Sequence, residues 1–111
     1  MTILIAHRGA SGYVPEHTLC SVAFAYGLGA DFIEQDIVLS KDNHPIVLHD
    51  IHLDQVTNVA EIYPDRKRSD GHWYAIDFLL AELKQLRVHE RGLMDNSGPV
   101  HPKRFPYKLG R

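Results

Sequence analysis

The apolar positions change period several times along the chain. Ile3 to Ala6 is a short apolar run at the start and predicts a strand. HRGASGYVPE, residues 7–16, breaks that run with two glycines and a proline and predicts a loop. Thr18 can cap a helix that begins there. Val22, Ala23 and Tyr26, with Gly27 or Ala30, then recur at helical spacing, and the helix is expected to stop near Gly27 or Gly29. Asp31 to Leu39 is apolar and β-branched in frame and predicts a second strand. SKDNHP predicts a turn, and Ile46 to Leu48 a third strand bounded by His49 and Asp50. Residues 51–75 show no clean period, and DRKRSDG within them predicts a solvated, charged loop. Leu79, Leu83 and Leu86 share one face of a second helix predicted over 77–88. From Gly92 the chain turns rich in Gly, Pro and Lys.

One feature of the second strand is out of pattern. Glu34 and Asp36 stand in the middle of a stretch whose composition is that of a buried strand. Side chains two apart along a strand point the same way, with anchors roughly 6.5 Å apart. Two like charges at about 6 Å repel by roughly 3 kcal/mol at an effective dielectric near 20, before desolvation is counted. The pair therefore needs a cation, a shared proton or good exposure.

Composition narrows the partners. The chain has 111 residues, enough for one domain, and 44% of them are hydrophobic. A net charge of −2 argues against nucleic acid or a polybasic membrane surface as the main partner. Eight histidines are a high count and favour metal or proton chemistry. The single cysteine, Cys20, excludes an internal disulfide and falls within the apolar helical pattern. No run approaches the roughly 20 apolar residues of a membrane span. MTILIAHRG lacks the basic start and apolar core of a signal peptide, so the chain as written is expected in the cytoplasm.

The polar residues of interest fall where strands end. His7 and Arg8 follow the first strand, Glu34 and Asp36 lie in the second, and His49 and Asp50 end the third. Active sites of parallel α/β architectures are built at the strands' C-terminal edge. If the three strands are parallel neighbours, these residues converge on one rim, and a hard cation between the acids resolves their repulsion. Carboxylate oxygens favour Ca²⁺ or Mg²⁺. Arg8 is a planar donor suited to a phosphate oxygen. Two histidines near neutral pKa can serve as acid and base. Together these groups suit phosphoryl transfer. His17, His44 and His52 fall in loops and are expected to matter less.

HRGASGYVPEHT, then EQD, then VLHD resemble the glycerophosphodiester phosphodiesterases in order and spacing. PEHT and the long segment DIHLDQVTNVAEIYPDRKRSDGHWYAIDF look most like the family's bacterial periplasmic branch. The resemblance covers residues 3–88, and more loosely RFPYKLGR. It implies an α/β fold, the N-terminal portion of a (β/α)₈ TIM-type barrel of the PLC-like phosphodiesterase kind, with a family-type insertion at roughly 51–75. The implied activity is hydrolysis of glycerophosphodiesters to glycerol 3-phosphate and an alcohol. Glu34 and Asp36 inherit a divalent cation, Ca²⁺ or alternatively Mg²⁺. His7 and His49 inherit the acid and base roles, in an order that stays open. Arg8 and Glu16 inherit contacts to the phosphate and glycerol region. The implied chemistry is attack by the glycerol's own hydroxyl to give a cyclic phosphate, followed by water. The implied location is periplasmic, and the alcohol head group and oligomeric state stay open.

The chain departs from that family in length. A barrel of this kind needs about 250 residues, and these residues are expected to supply its first three strands. The family's third metal ligand, a glutamate on a later strand, has no candidate after Glu90. Two readings follow: the N-terminal part of an enzyme, inactive as this fragment alone, or a truncated, non-catalytic remnant that at most binds a divalent cation weakly. Leu79 stands where the family carries a helix-capping Thr, and Asp77 is expected to cap instead.

Overall fold

A computed structural model describes residues 1–91 and, further on, the backbone of Tyr107–Lys108. Strand β1 (Ile5–His7) leads through helix α1 (Leu19–Gly27) into β2 (Phe32–Glu34). β1 and β2 pair in parallel, with Ile5 opposite Phe32 and His7 opposite Glu34. The expected βαβ start is present, and its helix is bounded as the residues predict. The Thr18 side chain accepts from the Ser21 N–H at 3.1 Å, satisfying one of the orphan amides of the first turn. At the other end Gly29 takes φ +82°, its N–H donates to Tyr26 and that of Ala30 to Ala25. That is a Schellman ending, which only a residue without a Cβ enters at no cost.

The second predicted strand is two strands. β2 ends at Glu34, and β3 (Ile37–Leu39) starts on the far side of Gln35 and Asp36. The third predicted strand, β4 (Pro45–Val47), runs antiparallel to β3, with Val38 opposite Ile46. Parallel strands need a crossover of a dozen or more residues, and the short turn after Leu39 allows only a hairpin. Ser40 shapes that turn: its hydroxyl donates to Asp42 Oδ1 at 2.6 Å and accepts from the His44 N–H at 2.9 Å. Among the described residues there is thus a portion of an α/β barrel and no closed barrel.

The core lies downstream of the βαβ unit. Phe78, Leu53, Val59, Leu83 and Leu86 are fully buried and pack with Ile46, Leu48 and Val88. Each such side chain stabilises the fold by roughly 1.5–3 kcal/mol. Before Ile46 the buried apolar side chains are Ala10, Pro15 and Ala25, while Ile5, Phe32, Leu28 and Ile37 stay exposed. DRKRSDG is exposed apart from half-buried Arg66, and the rest of residues 51–75 carries structure. The segment forms helix α2 (Val59–Ile62) and a 3₁₀ turn (Pro64–Arg66), tied back by Arg66 to Glu82 at 2.7 Å and by Trp73 Nε1 to the Tyr63 carbonyl at 2.7 Å.

The long second helix is corrected. The segment is a 3₁₀ turn (Ala75–Asp77), one turn of helix α3 (Leu80–Leu83) and a short strand β5 (Arg87–Val88). Leu83 and Leu86 face the core and Leu79 does not. Asp77 is not the cap, because Arg68 holds it through two bonds of 2.7 and 2.8 Å. The first amides of α3 go instead to Glu82 Oε2, which accepts from Leu79 at 2.8 Å, and to Asp42 Oδ1, which accepts from Leu80 at 3.0 Å. β5 pairs antiparallel with β6 (Tyr107–Lys108) through the backbone. The rest of the Gly- and Pro-rich tail, including RFPYKLGR apart from that pair, lies outside the described residues. No helix among the described residues is long and apolar enough to cross a membrane.

Candidate active site

The turn after β1 is the centre of the site. Arg8 has φ +62° and Gly9 φ +81°, two successive residues in left-handed backbone. A side chain with a Cβ at position 9 would meet Ser21 Oγ at 2.3 Å, so glycine is required by close approach as well as by φ. Ser21, fully buried on α1, fastens the turn by donating from Oγ to the Arg8 carbonyl at 3.1 Å. Left-handed backbone at a non-glycine residue costs of order 1–3 kcal/mol and is held only where the surroundings over-determine it. Here those surroundings turn the Arg8 amide toward β2 and its guanidinium across the loop.

The Arg8 amide donates to the Glu34 carbonyl and to Glu34 Oε2, both at 3.2 Å. Its Nη1 donates to both Glu16 oxygens, at 3.2 and 3.3 Å, and its Nε lies 3.7 Å from Asp36 Oδ2. One residue therefore faces all three carboxylates. The repulsion between Glu34 and Asp36 is met in part by the protein's own cation and in part by the break between β2 and β3, which takes the two acids off a common strand. His7 stands across the ladder from Glu34, with Nε2 4.0 Å from Oε2, and its side chain is 69% exposed.

His49 follows β4, and its Nδ1 lies 2.6 Å from Asp50 Oδ1. The other Asp50 oxygen accepts from Arg91 Nη1 at 2.6 Å. Arg91 also grips Glu16, with Nε donating to Oε2 at 3.0 Å and Nη2 to Oε1 at 2.7 Å. Burial pushes the Glu16 pKa up, but the bonds and charges of Arg91 and Arg8 outweigh it and hold the carboxyl below its ordinary value. Asp50 is likewise lowered: desolvation opposes ionisation, and Arg91 and His49 more than offset it. On Asp36 desolvation again works upward and is outweighed by His17, His49 and Arg8, so that carboxyl too lies below its ordinary value.

Two residues of this constellation had drawn little weight in the sequence. His17 is buried, with φ +58°, and its Nε2 is 3.0 Å from Asp36 Oδ2 while its Nδ1 has no partner. Its place beside Glu16 in PEHT was the available signal. Arg91 had none, because its acids stand 41 and 75 positions away. His44, which pairs with Asp42, and His52, which stacks on His72 at 4.5 Å, lie outside the constellation.

The donor types at Glu34 and Asp36 fit a hard cation, since both present carboxylate oxygens and neither is wholly consumed by protein partners. Their number falls short: among the described residues no group of three or more His, Cys, Asp or Glu side chains could hold a metal ion.

A sequence model of the Glycerophosphoryl diester phosphodiesterase family matches residues 7–108. A glycerophosphodiester phosphodiesterase of Treponema pallidum (strain Nichols) is 49% identical over 108 residues, covering 94% of this chain and 30% of the relative. One of Haemophilus influenzae is 47% identical over 106 residues, covering 94% of this chain and 29% of the relative. The chain thus spans about 30% of the length of these relatives. Among solved structures, a glycerophosphodiester phosphodiesterase from Agrobacterium tumefaciens superposes with a TM-score of 0.71 at 30% identity, covering all of this chain and 39% of its own. An Oleispira antarctica phosphodiesterase in complex with sn-glycerol-3-phosphate superposes at 0.62 with 38% identity, covering 78% of this chain and 30% of its own. On the match from residue 7 to 108, the chain belongs to the glycerophosphoryl diester phosphodiesterase family.

Proposed function

We propose that these residues form one side of the site of a metal-dependent glycerophosphodiester phosphodiesterase, releasing glycerol 3-phosphate and an alcohol. The observation that carries the reading is the Arg8 turn, which gathers Glu16 and Asp36 at its guanidinium and Glu34 at its backbone amide, next to His7. Glu34 and Asp36 would hold Ca²⁺ or Mg²⁺, which when bound offsets negative charge on the phosphodiester. The protein's own part is proton transfer and orientation. One histidine takes the proton of the attacking hydroxyl, and the other gives a proton to the departing alcohol oxygen as its bond to phosphorus breaks. Arg8 and Glu16 sit where a phosphate and a polyol would be positioned.

For the 111 residues taken alone the proposal is more restricted: weak cation binding and no turnover, since two carboxylates are a partial ligand set. The test uses both forms. Residues 1–91 are exchanged into the Treponema pallidum relative, and glycerol 3-phosphate release from glycerophosphocholine is measured with Ca²⁺, Mg²⁺ and chelator. Turnover should need the metal and should fall at least about 10²-fold in His7→Ala and in His49→Ala. The isolated chain should show no release, and calorimetric Ca²⁺ binding that Glu34→Ala weakens further. Near-normal turnover in either histidine variant would remove that residue's role, and metal-independent turnover would remove the cation.

A further inference from the structure

Arg91 joins the loop of Glu16 to the strand end of Asp50. Its Nε and Nη2 donate to Glu16, and its Nη1 to Asp50, at 2.6–3.0 Å. The partners of those acids are the groups of interest: Glu16 accepts from Arg8, and Asp50 faces His49 Nδ1 at 2.6 Å. An ionised carboxylate can only accept, so the proton between Asp50 and a neutral His49 belongs to Nδ1, and Nε2 keeps its lone pair. That tautomer is not what an isolated imidazole prefers. It persists only while Asp50 stays ionised and aimed at the ring. Asp50 neighbours His49 in sequence, and the His49 side chain is 41% exposed, which leaves room for the pair to part. What holds the carboxylate is its second oxygen on Arg91.

We propose that Arg91 is a positioning residue for this site: its guanidinium clamps Asp50 and Glu16 together, and through Asp50 it fixes His49 as the Nδ1–H tautomer with Nε2 free to accept a proton. The proposal rests on His49 taking part in proton transfer. The tautomer itself is read without substrate or metal, so its failure is separable from that of the hydrolysis. A residue that merely glued the loops together would leave the tautomer unchanged when replaced.

The experiment is long-range ¹H–¹⁵N spectroscopy of the full 111-residue chain carrying ¹⁵N-histidine, at a pH above the histidine titrations. His49 is identified by the signals missing from His49→Gln. In the wild type its pattern should be chiefly Nδ1–H. Arg91→Ala should move it toward Nε2–H, and Asp50→Ala should do the same, with Arg91→Ala adding nothing further in that background. Arg91→Lys should fall between, because a single ammonium cannot span both acids as the guanidinium does. His17, which bonds to Asp36 and not to Arg91, is the internal control for the fold. If Arg91→Ala disturbs His17 too, the Arg91→Lys spectrum decides, since it keeps the charge and loses part of the clamp. A His49 that stays Nδ1–H in Arg91→Lys and Arg91→Ala, or that is Nε2–H in the wild type, overturns the assignment.

Discussion

At the scale of single residues, what the sequence disclosed was set by distance along the chain. Glu34 and Asp36 announced themselves because acids in an apolar run are costly, and His7, Arg8 and His49 because they sit at strand ends. Partners drawn from 41 and 75 positions away leave no local trace, so Arg91 stayed silent, and His17 looked like an ordinary loop residue. The Arg91 ion pairs also give the site a pH signature. Glu16 and Asp50 are both lowered from ordinary values of 4.5 and 3.8. A carboxyl whose folded-state pKa is depressed stabilises the fold fully above its ordinary value and loses that contribution as pH falls through the lowered one. Thermal melts should therefore show stability draining away below about pH 4.5. In Arg91→Met the acid-side slope should be shallower. An equal slope in both proteins would mean that the clamp does not hold these acids ionised.

At the scale of elements, β1 and α1 were legible because their signals are local: an apolar run, a Thr cap and a glycine stop. The direction of β4 overturns the premise of three parallel neighbours: the turn after Leu39 is too short for a crossover, so β4 runs antiparallel to β3. The helix over 77–88 was overdrawn because Leu83 and Leu86 suit a helix face and a packed turn equally well. α3 also begins without a side-chain cap of its own. Leu79 at its N-cap has φ −69° and ψ 154°, an extended conformation in which threonine sits without strain. With Glu82 three residues on and already bonded to the Leu79 amide, Leu79→Thr would complete a capping box. That substitution should raise stability by about 0.5–1 kcal/mol in urea denaturation. Unchanged or lower stability would show that the exposed leucine contributes more by contact than the hydroxyl would by capping.

At the scale of the whole molecule, the core and the candidate site occupy different parts of the chain. The packed cluster runs from Ile46 to Val88, while His7, Arg8, Glu16 and Glu34 ride on a βαβ unit whose buried apolar side chains are two alanines and Pro15. Opening free energies follow buried contacts, so the unit should open more readily than the core. Native-state hydrogen exchange should find the β1 and β2 amides exchanging faster than those of Leu83 and Leu86, and uniform protection would contradict this. The same separation bears on synthesis. Glu16 leaves the ribosome 75 residues ahead of the arginine that grips it. At about 5–20 residues per second that interval is roughly 4 to 15 s. For that time Glu16 has Arg8 but not its second arginine, and the exposed strands of the βαβ unit wait for the core downstream of them to be completed. A nascent chain stalled before codon 91 would offer this half of the site, with its apolar strands, to whatever chaperone meets it first.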